Sequence, residues 1–298
     1  MPCYGPLTAY RPREGAVDRR LVFDARKSHS GIPIKVPCGQ CSGCRLESSR
    51  QWAMRCMHEK KPDSSFVTLT YADEHLPEGN SLSMYDYVCF LKRFRKRFGD
   101  GLRFCGCGEY GETTFRPHYH FLLLNRDFHD KRFHKRAPSG APLFTSQILD
   151  ELWSRDGEVL GHSLIGSVDF DSCCYVARYV MKKIIGKDTF DSSLYDPVTG
   201  IVREPPFMTM SRRPGLGSEW YAKYGPHAYE FDSVVFNGRE VRPPRFYDGK
   251  RVGPCINDKL KLKRRRAALL YRADNTLRRL RVRECVALAK LQLKGRSL

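Results

Sequence analysis

Two histidines separated by a single residue, His118 and His120, stand directly before the apolar residues 121–124. Successive side chains in a β-strand point to opposite faces, so an extended segment here would project both imidazoles from one face and turn Tyr119 into the packing on the other. Two imidazole nitrogens can bind one divalent metal ion, whose remaining positions accept carboxylate, water or phosphate oxygens. The alternative is a surface strand whose histidines have no chemical role.

A carboxylate that could complete such a site, Glu109, lies near the end of the segment that precedes the histidines. If residues 111–116 connect the two segments as a hairpin, this carboxylate can reach the histidine face and serve as a hard ligand suited to Mg²⁺ or Mn²⁺. Glu112 is the competing ligand, because the sequence does not fix the register between the strands.

A second group with chemical potential is the pair Tyr175 and Tyr179, followed by Lys182 and Lys183. Residues four apart on a helix lie one turn, about 6 Å, from each other on nearly the same face. Two aromatic residues at this spacing are often part of a core. The helix has a separate apolar stripe for docking, however, formed by Val176, Val180 and Ile184.

Tyrosines beside a metal site suggest nucleophilic chemistry at phosphorus. A phenol titrates near pH 10 and is a poor nucleophile until a nearby cation favours phenolate or a metal makes the phosphorus more electrophilic. The product would be a phosphotyrosine bond to a DNA 5′ end, which the attack of another 3′-hydroxyl can reverse. Two tyrosines would permit two successive transfers.

The elements that must position these residues follow from hydrophobic spacing. Strands are predicted at residues 66–71, 102–110, 117–124 and 164–170, and helices at 46–59, 83–98, 145–155 and 171–184. Thr145 is the expected N-cap of the third helix, and Asp171 is expected to begin the fourth. Residues 186–225 are predicted as loops, and Asn237-Gly238 as the turn of a hairpin. The pattern predicts an α+β fold with a central antiparallel sheet that carries the His-x-His strand and is flanked by helices.

The charge balance identifies a class of partner. The chain of 298 residues has 52 Lys plus Arg against 33 Asp plus Glu, a net charge of +19, which favours nucleic acid. A membrane surface is the competing partner, but no apolar run approaches the roughly 20 residues that span a bilayer and the first residues lack a signal-peptide pattern, so a soluble, intracellular protein is expected. Residues 259–298 contain 14 basic and two acidic residues, which predicts a basic amphipathic helix or an arm that becomes ordered on DNA.

The twelve cysteines include a tight cluster, Cys38, Cys41 and Cys44. Three thiolates with intervening glycines can wrap a structural Zn²⁺ if a fourth ligand is present. Cys3 is the first choice for that ligand, with Cys56 and His58 as alternatives. An iron–sulfur cluster is less favoured, because the usual fourth cysteine of the run is missing. Unbound cysteines beneath a helix are the remaining alternative.

Taken together, several motifs resemble the HUH endonuclease superfamily in its two-tyrosine branch, and most closely the rolling-circle replication initiators of Microviridae phages of the gokushovirus type. The resemblance spans roughly residues 36–248 and rests on PCGQCSGCRLESSRQWAMRCMHE, FVTLTYADEHLP, CGEYGE, RPHYH, YVARYVMKK, SRRPGLG and RPPRFYD. It implies an HUH nicking-domain fold with His118 and His120 as metal ligands, Tyr175 and Tyr179 as nucleophiles, Lys182 as the lysine after the second tyrosine and, less firmly, Glu109 as a third ligand.

The same resemblance implies an activity and its partners. The expected reaction is metal-dependent nicking and joining of single-stranded or supercoiled viral DNA at the origin, in the cytoplasm of a bacterial host, together with the host helicase, polymerase and single-strand binding protein. Arg116, Arg212 and Arg213 are candidate DNA contacts. The alternatives are a transposase or plasmid relaxase of the same superfamily, and a non-catalytic basic DNA-binding or packaging protein.

Four segments are expected along the chain. They are a cysteine-cluster region with its helix at 1–60, the nicking domain at 61–186, a loop-rich basic extension at 187–255 and a basic helical tail at 256–298.

Overall fold

The computed structural model describes residues 3–13, 20–111, 114–182, 194–196, 199–236, 238–250 and 254–293, and of residues 178–182 and 254–257 it describes the backbone alone. The chain groups into two compact units, one made of residues 1–48 and 252–298 and the other of residues 49–251. The four-segment division stays a prediction.

Helices and short strands alternate along the described chain. The strands are β1 (Leu7–Ala9), β2 (Ile34–Val36), β3 (Ser65–Thr70), β4 (Phe104–Tyr110), β5 (Pro117–Leu123), β6 (Arg132–Arg136), β7 (Pro142–Thr145), β8 (Ser154–Arg155), β9 (Glu158–Val159), β10 (Ser163–Gly166), β11 (Phe207–Met210), β12 (Val234–Phe236) and β13 (Arg239–Val241). The α-helices are α1 (Ser42–Glu59), α2 (Met84–Phe98), α3 (Gln147–Leu152), α4 (Phe170–Lys182), α5 (Ser218–Phe231), α6 (Arg245–Asp248), α7 (Pro254–Leu269) and α8 (Leu277–Gln292).

The larger unit is built on a seven-stranded sheet in the order β11-β4-β5-β3-β10-β7-β6, in which each neighbouring pair is antiparallel. The strand β5 carries both histidines and lies between β4 and β3. The expected α+β fold with a central antiparallel sheet and flanking helices is confirmed.

One face of this sheet is covered by aromatic packing against α2 and α3. Tyr119 and Phe121 of β5 are fully buried on this face, together with Tyr87, Phe90 and Phe94 of α2. These α2 residues recur every three or four positions, the spacing of a helix with one apolar stripe. Burial of each such ring contributes roughly 1.5–3 kcal/mol, so this core holds the strands in register.

The other face packs against α4 and the second half of α1. Its buried residues alternate with those of the aromatic face along β4 and β5, because side chains two apart share a face. They include Ala53 and Cys56 of α1, Cys105 and Cys107 of β4, Leu122 of β5, and Cys173 and Val176 of α4. The two histidines project from this second face.

Two helix starts differ from the prediction by one or two residues. The N-cap of α3 is Ser146, whose hydroxyl accepts from the Leu149 N–H, while Thr145 is the last residue of β7. At α4 the carboxylate of Asp169 accepts from the Ser172 N–H at 2.7 Å, so Asp169 and not Asp171 caps the helix. In both cases two residues of capping type lie one or two positions apart, and the sequence alone does not decide between them.

The loop prediction for residues 186–225 is wrong at residues 207–210 and 218–225, and it is confirmed at the described residues 199–206 and 211–217. Strand β11 pairs with β4 at the edge of the sheet, and α5 begins at Ser218. The strand has only four residues, and α5 contains Gly225 and Pro226, two residues that normally argue against a helix. The hairpin predicted further on is confirmed, since β12 pairs with β13.

The smaller unit contains the β1–β2 pair and the basic helices α7 and α8. The predicted helical character of the basic tail is therefore confirmed, as two helices. Among the helices that the structure describes, none combines the length and apolar character needed to cross a bilayer.

Candidate active site

Strand pairing brings a carboxylate and two imidazoles together on the α4 face of the sheet. In the β4–β5 ladder Glu109 lies directly opposite His118, and His120 is two residues further along the same face. The side-chain ligand atoms of Glu109, His118 and His120 all lie within 4.8 Å of one another. This convergence is the one predicted from the sequence on the condition that the two segments form a hairpin. The competitor Glu112 is outside the described residues.

Three polar groups meet at one oxygen of Glu109. Its Oε1 lies 3.0 Å from His118 Nε2, 2.8 Å from His120 Nε2 and 2.7 Å from the Tyr175 hydroxyl, which donates to it. The other oxygen, Oε2, is buried and has no hydrogen-bond partner within the described part of the chain. A buried carboxylate oxygen normally has a partner, so this pair of oxygens has capacity for a further ligand.

Burial and hydrogen bonding act in opposite directions on these groups. Burial favours the neutral form of Glu109, but the hydrogen bonds from His118, His120 and Tyr175 outweigh it and lower the pKa of the carboxyl to about 2. Burial also lowers the pKa of His120, against the opposing effect of Glu109. The site is thus an ionised carboxylate beside an imidazole that favours its neutral form.

The Nδ1 atoms of both histidines contact neighbouring residues, and these contacts orient the Nε2 atoms toward Glu109. His118 Nδ1 lies 3.1 Å from the Arg116 carbonyl oxygen, an acceptor that can hold the ring proton on Nδ1 when Nε2 binds a cation. His120 Nδ1 lies 3.0 Å from Thr68 Oγ1 on β3. The ring of Phe66 stacks on His120 with centroids 5.5 Å apart.

This arrangement fits a divalent cation. Two imidazole nitrogens and one carboxylate form an open three-residue set that leaves positions for water or phosphate oxygens. Three groups meet at Glu109 Oε1, and Oε2 has no hydrogen-bond partner among the described residues. Both features are expected of a carboxylate that is positioned to bind a cation. Polar neighbours that orient the ligating imidazoles are typical of metal sites.

Tyr175 reaches the site from α4. The buried residues Cys173 and Val176 anchor the helix on the sheet, and Tyr175 is half-buried above His120, with ring centroids 5.0 Å apart. Its hydroxyl is 3.4 Å from His120 Nε2. Tyr179 and Lys182 lie on the following turns of α4, but their side chains are outside what the structure describes.

The candidate DNA-contacting arginines lie in different places. Arg116 adjoins the site: its guanidinium pairs with Asp73 and donates to the Tyr71 carbonyl at 2.9 Å. Arg212 and Arg213 are exposed and line a cavity of about 810 Å³ that also contains Arg95 and Arg103. Arg103 precedes β4 whereas Glu109 is near its end, so the two places are about 20 Å apart along the strand. The structure does not bring Arg212 and Arg213 to the histidines.

One participating residue was missed in the sequence. Thr68 contacts a histidine from a strand that is distant in sequence, although the alternation of FVTLTY already placed Thr68 and Thr70 on one face. The missing information was that β3 pairs with β5, with Thr68 opposite His120.

Comparisons with known proteins converge on one family. The family model described as "Replication-associated protein ORF2/G2P" matches residues 64–184, from β3 through α4. The chain is 31% identical over 259 residues to "Replication-associated protein VP4" of Bdellovibrio phage phiMH2K, covering 83% of this chain and 76% of the phage protein. It is 30% identical over 241 residues to "Replication-associated protein ORF2" of Spiroplasma virus 4, covering 76% of this chain and 70% of that protein. No solved structure matches significantly.

Proposed function

The chain belongs to the family of phage replication-associated proteins, and from this premise we propose that it initiates replication by nicking and rejoining one strand of phage DNA at the viral origin. The observation that carries the proposal is the 2.7 Å contact between the Tyr175 hydroxyl and Glu109, at the point where both imidazoles converge. A nucleophile and a candidate cation site are thereby adjacent.

In the proposed reaction the Tyr175 oxygen attacks a backbone phosphorus. A bond forms between the phenol oxygen and phosphorus while the bond from phosphorus to the 3′ oxygen breaks, leaving a 5′-phosphotyrosine and a free 3′-hydroxyl. The phenol gives up one proton and the departing 3′ oxygen takes up one. In the structure the phenol proton is directed at Glu109 Oε1, so the oxygen lone pairs are turned away from the carboxylate.

Glu109, His118 and His120 would hold the divalent cation, Mg²⁺ or Mn²⁺, which draws charge from the phosphate oxygens and makes the phosphorus more electrophilic. The contacts of His118 with the Arg116 carbonyl and of His120 with Thr68 keep the Nε2 atoms pointed at this position. Burial of Glu109 and His120 reduces competition from water.

The resemblance to two-tyrosine initiators assigns a second transfer to Tyr179 and a supporting role to Lys182. In that scheme one tyrosine holds the 5′ end while the strand is displaced, and the other attacks the regenerated origin. The freed 3′-hydroxyl then closes the displaced circle. The position of Tyr179 one helical turn after Tyr175 supports this assignment.

The net charge of +19 supports DNA as the substrate. Lysine and arginine contacts to phosphates supply most sequence-independent affinity, so removal of one phenol oxygen should leave DNA binding near wild type. Binding and cleavage can therefore be measured separately.

The test is formation of a covalent protein–DNA adduct. Labelled single-stranded oligonucleotides that tile the phage genome are incubated with the protein and Mg²⁺ or Mn²⁺, and adducts that resist denaturation are counted. We expect an adduct at one sequence, lost in the Tyr175→Phe/Tyr179→Phe double variant while oligonucleotide binding persists. Tyr85→Phe is the matched control, because Tyr85 is an exposed tyrosine on α2.

The outcomes separate the rival functions. A double variant that still forms the adduct would show that the nucleophile lies elsewhere. Absence of an adduct with every oligonucleotide would favour a non-catalytic binding or packaging protein. An adduct formed on transposon ends or a plasmid transfer origin, and not on phage DNA, would favour a transposase or relaxase.

A further inference from the structure

Four cysteine sulfurs converge in the smaller unit. Cys3 comes from the first residues of the chain, Cys38 and Cys41 from the segment after β2, and Cys44 from the first turn of α1. All four Sγ atoms lie within 4.8 Å of one another, with Cys38 Sγ 4.0 Å from Cys44 Sγ and Cys41 Sγ 3.9 Å from Cys3 Sγ.

These separations match one metal ion at the centre of four thiolates. A zinc–sulfur bond of about 2.3 Å in a tetrahedral site places the sulfurs about 3.8 Å apart. A disulfide would require about 2.05 Å, so neither of the two measured pairs is bonded. A cluster with several irons would hold its four thiolates further apart, because the iron and sulfide atoms lie between them.

Backbone amides also point at the sulfurs. The Tyr4 N–H donates to Cys41 Sγ at 3.3 Å, the Cys38 N–H to Cys3 Sγ at 3.2 Å, and the Cys41 N–H to Cys38 Sγ at 3.3 Å. Hydrogen bonds of this kind favour the charged thiolate over the thiol. Cys44 adds its sulfur at the amino end of α1, where the helix dipole favours negative charge.

The two alternative fourth ligands lie elsewhere. Cys56 is fully buried in the larger unit, in the cluster on the α4 face of the sheet. His58 stacks on Trp220 with centroids 3.7 Å apart, and its Nδ1 lies 2.8 Å from the Tyr247 hydroxyl. Both are occupied by packing in the other unit, so Cys3 completes the set.

We propose that Cys3, Cys38, Cys41 and Cys44 bind one structural Zn²⁺ as a closed four-thiolate site. Each thiol releases its proton to solvent when it binds the ion. Because no position is left open for water or substrate, the site has a structural role: it ties the first residues of the chain to the amino end of α1.

The decisive measurement is the metal content of the purified, unsubstituted chain. We expect about one zinc per chain by elemental analysis, released by a thiol-specific mercurial and detected with a chromogenic zinc chelator. Replacement of zinc by Co²⁺ should give intense thiolate-to-cobalt charge-transfer bands and the visible bands of a tetrahedral ion. Absence of bound zinc, or a cobalt spectrum without thiolate bands, would overturn the proposal. A single bound iron would support the four cysteine ligands and contradict the assignment of zinc.

Substitutions identify the ligands. Cys41→Ser should lose the stoichiometric zinc, whereas Cys285→Ser, at an exposed cysteine of α8, should retain it. His118→Ala/His120→Ala should also retain it, which distinguishes this site from the candidate active site. Since the unsubstituted protein already decides the question, a Cys41 variant that fails to fold does not weaken the test. The covalent-adduct assay can fail while zinc is present, so the two experiments test the proposed function and the zinc site independently.

Discussion

The Tyr175 hydroxyl donates a hydrogen bond to the Glu109 carboxylate across the gap between α4 and β4, at 2.7 Å. The two residues are 66 positions apart, and each is held by a different kind of element: Tyr175 by a helix docked on the sheet, and Glu109 by a strand of that sheet with neighbours on both sides. The hydroxyl is therefore placed by the fold and not by a loop. In the proposed reaction Tyr175 would therefore need little ordering before it attacks.

Replacement of Glu109 by Gln should abolish cleavage with little effect on DNA binding. The amide has the same shape but no charge, and loses the ionised oxygen at which His118, His120 and Tyr175 meet. We expect at least about a 100-fold loss of adduct formation and weaker Mn²⁺ binding by calorimetry. Glu112→Gln is the control. If Glu112→Gln is the inactive variant, the carboxylate has been misassigned.

Thr68→Val tests whether the neighbour of His120 positions it. Valine keeps the shape of threonine and removes the Oγ1 atom that lies 3.0 Å from His120 Nδ1. We expect a 10- to 100-fold loss of divalent-metal affinity, recovered in large part by Thr68→Ser. Thr70→Val is matched, because Thr70 faces the same way on β3 but bonds the His162 carbonyl. Equal metal affinity of the two valine variants would argue against a positioning role for Thr68.

Stability should fall as the pH is lowered from 6.5 toward 4 because of His58. Burial lowers the pKa of His58 from 6.5 to about 4, so over this interval the unfolded chain binds more protons than the folded one. The free energy of unfolding then falls with decreasing pH by up to about 1.4 kcal/mol per unit.

His58→Gln should flatten that dependence, measured by urea unfolding at a series of pH values. The total contribution that disappears is on the order of 3 kcal/mol. His134→Gln, at a histidine on the exposed strand β6, controls for loss of a histidine side chain. An unchanged slope in His58→Gln would mean that His58 does not drive the acid sensitivity.

The basic tail should contribute to DNA affinity. Lys259, Arg265 and Arg266 are exposed on α7, and their replacement by Gln should weaken binding of single-stranded DNA. The slope of log affinity against log salt should decrease by up to about 2 if all three contact phosphates. The same number of exposed charges on α2, at Lys92, Lys96 and Arg97, provides the control, because α2 covers the sheet face opposite the histidines. A larger loss of DNA affinity in the α2 variant than in the α7 variant would assign the DNA contacts to α2 instead.

Much of the site could be predicted from sequence because it depends on local periodicity. His118 and His120 share a face since they are two apart on a strand, and Glu109 joins them because a short hairpin connects β4 and β5. The relationship to replication proteins of Microviridae phages, recognised from several short motifs together, is confirmed by the comparisons.

What could not be predicted depends on contacts between distant segments. Strand β11 is too short to show periodicity and becomes a strand by pairing with β4. Helix α5 forms despite Gly225 and Pro226 because tertiary packing outweighs intrinsic propensity. The orientation of His120 by Thr68 requires the β3–β5 register, which the hydrophobic pattern of either strand alone does not contain.

Because side chains alternate between the two faces of the sheet along β4 and β5, odd- and even-numbered positions should lose function for different reasons. On β5 the even-numbered residues His118 and His120 face the candidate site, and the odd-numbered Tyr119 and Phe121 face the aromatic core. On β4 the parity is reversed, with Glu109 toward the site and Gly106 against Tyr87 and Phe121. In a saturation scan of codons 118–121, substitutions at 119 and 121 should therefore lower soluble yield, whereas those at 118 and 120 should reduce phage DNA synthesis at normal yield.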